Sequence, residues 1–204
     1  MRAYLALVLF CAACKRGPIT REASAAELER RCRLADTCAC NELGGKYKDG
    51  EGVAKNEARA FELFERSCSL HSVEGCDLLG NAYEFAVGTK KDFGKAVELY
   101  RGSCDGGYEI GCADLAAMYQ FGRGVAEDAK QAAVLYERTC QKARVACEDL
   151  GLAYAEGRGV ERNLTRATVL WRKGCAGGTG SVCSDLGELL RKTCAAGEAA
   201  ACIR

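Results

Sequence analysis

The chain has 204 residues, 49% of them hydrophobic and 28% charged, the composition of one folded domain rather than of a disordered or fibrous chain. Lys+Arg at 29 against Asp+Glu at 28 leaves a net charge of +1, which excludes a sequence-independent nucleic-acid binder. One proline excludes a proline-rich linker, one histidine excludes chemistry that needs two, and 15 cysteines require either an oxidising compartment or a metal.

Residues 1–14 read MRAYLALVLFCAAC: a basic Arg2, an apolar run from Ala3 to Phe10, then Ala12 and Ala13 just before Cys14. This is the pattern of an export signal, too short to span a bilayer. It resembles a bacterial lipoprotein signal, which implies lipidation of Cys14 and membrane attachment only through that anchor. Cys11 stands where the lipoprotein pattern prefers leucine, so a free secreted protein is the alternative. Residues 1–13 are thus expected as the signal and 14–19 as a short linker. Lys15 after the anchor, by resemblance to a bacterial sorting rule, favours the outer membrane over the periplasm or the extracellular space.

From there the chain repeats. Cys32, Cys68, Cys104, Cys140 and Cys175 form one series, and Cys40, Cys76, Cys112, Cys147 and Cys183 a second, each with a period near 36. Ala60, Ala96, Ala132 and Ala167 recur in the same register, as do Leu63, Leu99, Leu135 and Leu170. So do Phe64, Tyr100, Tyr136 and Trp171, and Tyr47, Tyr83, Tyr119 and Tyr154. Self-similarity at this period is the mark of a stacked-repeat architecture.

Each unit reads as two helices. The first runs from the second-series cysteine, with apolar positions at 0, +3 and +7, as in Cys76, Leu79 and Tyr83, one stripe of a 3.6-residue helix. Gly44, Gly80, Ala116, Gly151 and Gly187 follow the leucine of that stripe. Glycine weakens a helix by about 1 kcal/mol, so its recurrence predicts close approach of a neighbouring helix. The loops GEGV at 50–53 and GRGV at 122–125 and 157–160 end the first helix, and repeat two departs with Ala86-Val87-Gly88-Thr89. Asn56, Asp92, Asp128 and Asn163 are placed to cap the second helix. By the same register Thr20 to Cys32 is one second-type helix without its partner. At the other end Cys183 to Cys194 is expected as one continuous helix. The boundaries are a half-repeat at 20–39, repeats at 40–75, 76–111, 112–146 and 147–182, and a shortened unit at 183–204.

Each first-series cysteine precedes a second-series one by seven or eight residues: Cys32–Cys40, Cys68–Cys76, Cys104–Cys112, Cys140–Cys147 and Cys175–Cys183, with Cys194–Cys202 added. Eight residues of continuous helix separate Cα atoms by about 12 Å, and a disulfide needs roughly 4.4–6.8 Å. The bridges therefore require a turn, which DGGYEIG at 105–111 and AGGTGSV at 176–182 supply. Cys38 is left over and competes with Cys40 for Cys32. Outside Cys11–Cys14 of the signal region the metal alternative has no Cys-x-x-Cys pair, and only His71 could help, so no metal is expected.

Units such as CDLLGNAYEFAVGTKKDFGKAVELYRGSC resemble Sel1-like repeats, relatives of the tetratricopeptide repeat, and the cysteine pair between units resembles the Helicobacter cysteine-rich protein family. The resemblance covers residues 20–204. It implies an all-α fold, an α/α solenoid of about five 36-residue helix pairs with one disulfide per repeat and a right-handed superhelix. It also implies a secreted or surface adaptor for a protein or peptide, with the first helices on the concave side. Some members are described as penicillin-binding or as slow β-lactamases, so a hydrolase of that type is the alternative, on resemblance alone.

The residues do not supply a catalytic site for it. No serine begins Ser-x-x-Lys, GTGSVC at 178–183 lacks the second glycine of a nucleophile elbow, and no phosphate-binding loop occurs. No catalytic residue and no cofactor are therefore assigned, and a monomer is expected. The recurring polar feature is a set of acids just after the second-series cysteines. Positions off the apolar stripe and read as exposed on the concave face are Asn41, Glu42, Asp77, Asn81, Asp114, Glu148, Asp149 and Asp185. Their plainer role is to complement the dipole in the first turn of a helix.

Overall fold

A computed structural model describes residues 23–140 and 144–175. All regular structure among them is helical: α1 (Ala25–Arg33), α2 (Thr37–Asp49), α3 (Glu57–Ser69), α4 (Val73–Phe85), α5 (Phe93–Asp105), α6 (Glu109–Phe121), α7 (Ala129–Thr139), α8 (Arg144–Glu156) and α9 (Leu164–Cys175). The chain divides into two compact units, 1–108 and 109–204. In unit 1 each helix from α1 to α5 packs on the next, and in unit 2 each from α6 to α9 does the same.

Local chemistry places the helix starts. Asn56 Oδ1 accepts from the Arg59 N–H at 3.0 Å, Asp92 Oδ1 from Lys95 at 3.0 Å, Asp128 Oδ1 from Gln131 at 3.0 Å, and Asn163 Oδ1 from Arg166 at 2.9 Å. These are the four expected caps of the second helices. The first helices begin three residues ahead of the second-series cysteine, at Thr37, Val73, Glu109 and Arg144. Asp36 and Ser72 cap two of them, accepting from Ala39 and Gly75 at 3.1 Å each. The arm helix α1 starts at Ala25 rather than Thr20, because Ser24 Oγ accepts from Glu27 and closes the helix there. Thr20 itself lies outside the described residues, as do Cys14, the 183–194 segment, Cys183, Asp185, Cys194 and Cys202.

The close approach expected at the small-residue column is present in both units. A Cβ on Gly44 would stand 2.4 Å from Phe64, one on Gly80 2.7 Å from Tyr100, and one on Gly151 2.5 Å from the Trp171 indole nitrogen. Phe64, Tyr100 and Trp171 of the second helices thus pack directly on the backbone of the first helices at these glycines. Trp171 Nε1 also donates to the Glu148 carbonyl at 3.1 Å. Ala60, Ala96, Ala132 and Ala167 are buried, so the second helix approaches with its smallest face.

The turn between paired helices brings cysteines together. Cys32–Cys40, Cys68–Cys76 and Cys140–Cys147 are disulfides, with Cα–Cα distances of 4.8, 4.4 and 4.4 Å. Cys104 and Cys112 are disulfide-bonded as well, and so is Cys38, which is therefore neither left over nor a competitor for Cys32. Closing loops this short contributes about 2–3 kcal/mol each in the chain-entropy picture. The turn reverses through one left-handed residue, Ala35, His71 or Gly107 in successive units. His71 is thus an exposed turn residue, placed by backbone shape.

Candidate functional site

The acids singled out in the sequence do not sit in the first turn. Because the first helices begin early, Glu42, Asp77, Asp114 and Asp149 fall in the second turn, beyond the N–H groups that a helix leaves unpaired. Their recurrence is therefore not explained by capping.

In unit 1 the expected row is split by burial. Glu42 is exposed and Asn81 half-buried, but Asn41 is only 7% exposed and Asp77 3%. This corrects the expectation that both face solvent. Both residues lie one position after a second-series cysteine, on α2 and α4, and these two helices touch directly. Asn81 Nδ2 donates to the Asp77 carbonyl at 3.1 Å and to Asp77 Oδ2 at 3.4 Å. Both polar atoms of the Asn41 side chain are buried without a protein partner. Such a group is satisfied by water or by a small rearrangement of its neighbours.

In unit 2 the corresponding acids keep access to solvent. Asp114, Glu148 and Asp149 are all half-buried. Burial first, and then the neighbouring Glu148 charge, push the Asp149 carboxyl up from 3.8 to about 6, with Arg158 pulling the other way. Asp149 and Asp114 both act on the Tyr136 phenol, whose titration burial and these two charges drive far upward. Their shared effect on one ring shows that α6 and α8 direct these carboxylates into a common field. Tyr136 donates its hydroxyl to Gln120 Oε1 at 2.8 Å, and in unit 1 Tyr100 donates to Glu84 Oε2 at 2.8 Å. Glu84 and Gln120 were missed in the sequence. They share a register eight residues after the second-series cysteine, which could have paired them with the tyrosines.

The surface of the first helices in unit 2 is thus carboxylate-rich and amide-lined, with Arg158 as its local counter-charge. It offers acceptors and negative charge, and no nucleophile–base pair. Among the described residues, no group of three or more His, Cys, Asp or Glu could hold a metal ion.

The family model for the Sel1 repeat matches residues 39–72, 73–108, 110–143 and 144–179. No curated protein matches the sequence. Among solved structures, the fold is similar to a Sel1 repeat protein from Oxalobacter formigenes (TM-score 0.73, 21% identity, covering 82% of this chain and 69% of that one). It is also similar to c5321, a protective antigen of uropathogenic Escherichia coli with an SLR fold (TM-score 0.76, 24% identity, 84% of this chain and 37% of the antigen). Cysteine-rich protein B of Helicobacter pylori aligns at 29% identity and a TM-score of 0.50, over 63% of this chain and 98% of its own.

Proposed function

The chain belongs to the Sel1 repeat family, a scaffold fold typical of protein interaction, and from that premise we propose that it captures a basic peptide or protein segment on the face of its first helices. The observation that carries this reading is the second-turn placement of Asp114, Glu148 and Asp149. They serve no helix end, Asp114 and Asp149 both act on Tyr136, and Asp149 is held partly desolvated beside the like charge of Glu148. Native chains retain such an arrangement where the charge is used. Glu42 in unit 1 occupies the same register as Asp114 and Asp149, two residues after its second-series cysteine. A carboxylate surface speeds association with a cationic partner and makes it salt-sensitive.

The intrachain disulfides fit an oxidising, exported location. No helix among the described residues is long and apolar enough to cross a membrane. Attachment through a lipid on Cys14 belongs to the same proposal. The test is affinity capture with the oxidised mature protein as bait, comparing it with Asp114→Asn/Asp149→Asn. The double variant is expected to release its partner at lower salt and to stay folded. Equal retention by the folded variant would place the binding surface elsewhere.

A further inference from the structure

A second surface lies on the opposite helices of unit 2. Between α7 and α9, over α8, runs a groove of about 300 Å³ floored by Leu150 and Tyr154 and walled by Val169 and Leu170. That volume is the small end of the range for binding pockets, enough for side chains rather than a cofactor. At its mouth stand Arg166, Lys173 and Glu137.

The matching place in unit 1, between α1 and α3 over α2, is strapped shut. Arg59 Nη2 lies 2.7 Å from Glu29 Oε1. Arg66 forks across the gap, donating to the Cys32 and Arg33 carbonyls at 3.2 Å each. In unit 2 Arg166 pairs with Glu137 at a longer 3.6 Å and donates to the Tyr154 hydroxyl at 2.8 Å, over the edge of the groove floor. Lys173 replaces Arg66, and a flexible ammonium lacks the planar, pre-organised fork by which the guanidinium holds two carbonyls. The solvent face changes in the same register. Glu62 and Glu98 occupy it in unit 1, and Val134 and Val169, each 62% exposed, in unit 2. An exposed valine in the wall of an apolar groove, Val169, with a second exposed valine, Val134, one turn from Glu137 on the facing helix, is the composition of an interaction site, not of a solvated helix face.

We propose that this groove takes an acidic amphipathic helix from a partner, which seats a leucine- or phenylalanine-sized side chain against Leu150 and Tyr154 and sets a carboxylate against Lys173 and Arg166. Charge complementarity selects that occupant: two cations against one acid at the mouth favour a negative partner. The exposed valines on two helices call for an apolar stripe longer than a single side chain, which a helix laid in a groove provides. The site does not rest on the acidic surface of the first helices and takes a partner of opposite charge.

The test is fluorescence anisotropy with a labelled designed helix of repeated Glu-Leu-Leu-Glu pattern, against the oxidised protein. Saturable binding is expected, weakened at least tenfold by Val169→Glu, which installs the residue unit 1 already carries there, and by Lys173→Glu. Asp114→Asn/Asp149→Asn should bind the helix unchanged, which separates this site from the first. Circular dichroism melts confirm that each variant is folded. No saturable binding by the parent protein, or equal binding by the folded Val169→Glu variant, would overturn the proposal. So would displacement by decanoate with no preference for the acidic helix over its lysine counterpart, which would make the occupant a fatty acid.

Discussion

Asp149→Asn should make the protein more stable at neutral pH and worse at its work. Burial and Glu148 raise the Asp149 carboxyl from 3.8 to about 6. Because the folded-state value lies above the unfolded one, the folded chain binds that proton more tightly. The group's stability contribution is therefore fully present below about pH 4 and is lost as pH rises through about 6. Taken whole, the difference amounts to roughly 3 kcal/mol at pH 7. The side chain is only half-buried, so solvent screening reduces the expected effect to about 1–2 kcal/mol. Asparagine keeps the shape and removes the charge. Thermal melts of parent and variant under oxidising conditions should coincide near pH 4 and separate progressively above it. At pH 7 the variant should melt roughly 2–8 °C higher. Reading the difference between the two proteins cancels every other titrating group, including Asp36 and Glu57, whose lowered values act in the opposite direction. A variant that melts at or below the parent at pH 7, or a gap that is the same at pH 4 and pH 7, would refute the claim that a desolvated charge is being held there. Stability gained together with partner affinity lost is the pattern of a group kept for binding.

Ala86 ends α4 in the left-handed conformation at φ 60°, where Gly50, Gly122 and Gly157 stand in the other repeats. Ala86→Gly should therefore stabilise by about 1 kcal/mol in chemical denaturation, against the usual loss for a new glycine. Gly80→Ala should destabilise by about 1–3 kcal/mol, since its Cβ would meet Tyr100 at 2.7 Å and force ring or helix to shift. Peptide mass spectrometry without reduction should find the local links 32–40, 68–76, 104–112 and 140–147, and a link such as Cys68 to Cys140 would refute stacked units. Metabolic labelling with a palmitate analogue should mark the protein and fail on Cys14→Ser, and an unlabelled parent would mean simple secretion.

Much of this protein is decided locally, and that part was legible in the sequence. The cysteine series set the period, and Asn56, Asp92, Asp128 and Asn163 set the second helices, because a cap is a bond between residues three apart. Gly44, Gly80 and Gly151 told of a close helix approach because they recur at one register, whereas the helical Gly45 and Gly102 stand outside that column and meet nothing. The starts at Thr37 and Val73 are local too, set by Asp36 and Ser72 as caps that the periodicity did not single out, and they moved the acids out of the first turn. What depended on neighbours far along the chain was not legible. Asn41 and Asp77 look like exposed polar residues by spacing and are buried, on the two first helices of unit 1 that touch each other. Periodicity says which side of a helix faces the core. It does not say how far a neighbouring helix reaches around that side, nor that exchanging Arg66 for Lys173 leaves one pair of second helices unstrapped. Those outcomes are set by packing between repeats, where a few ångströms decide between a covered residue and an open groove.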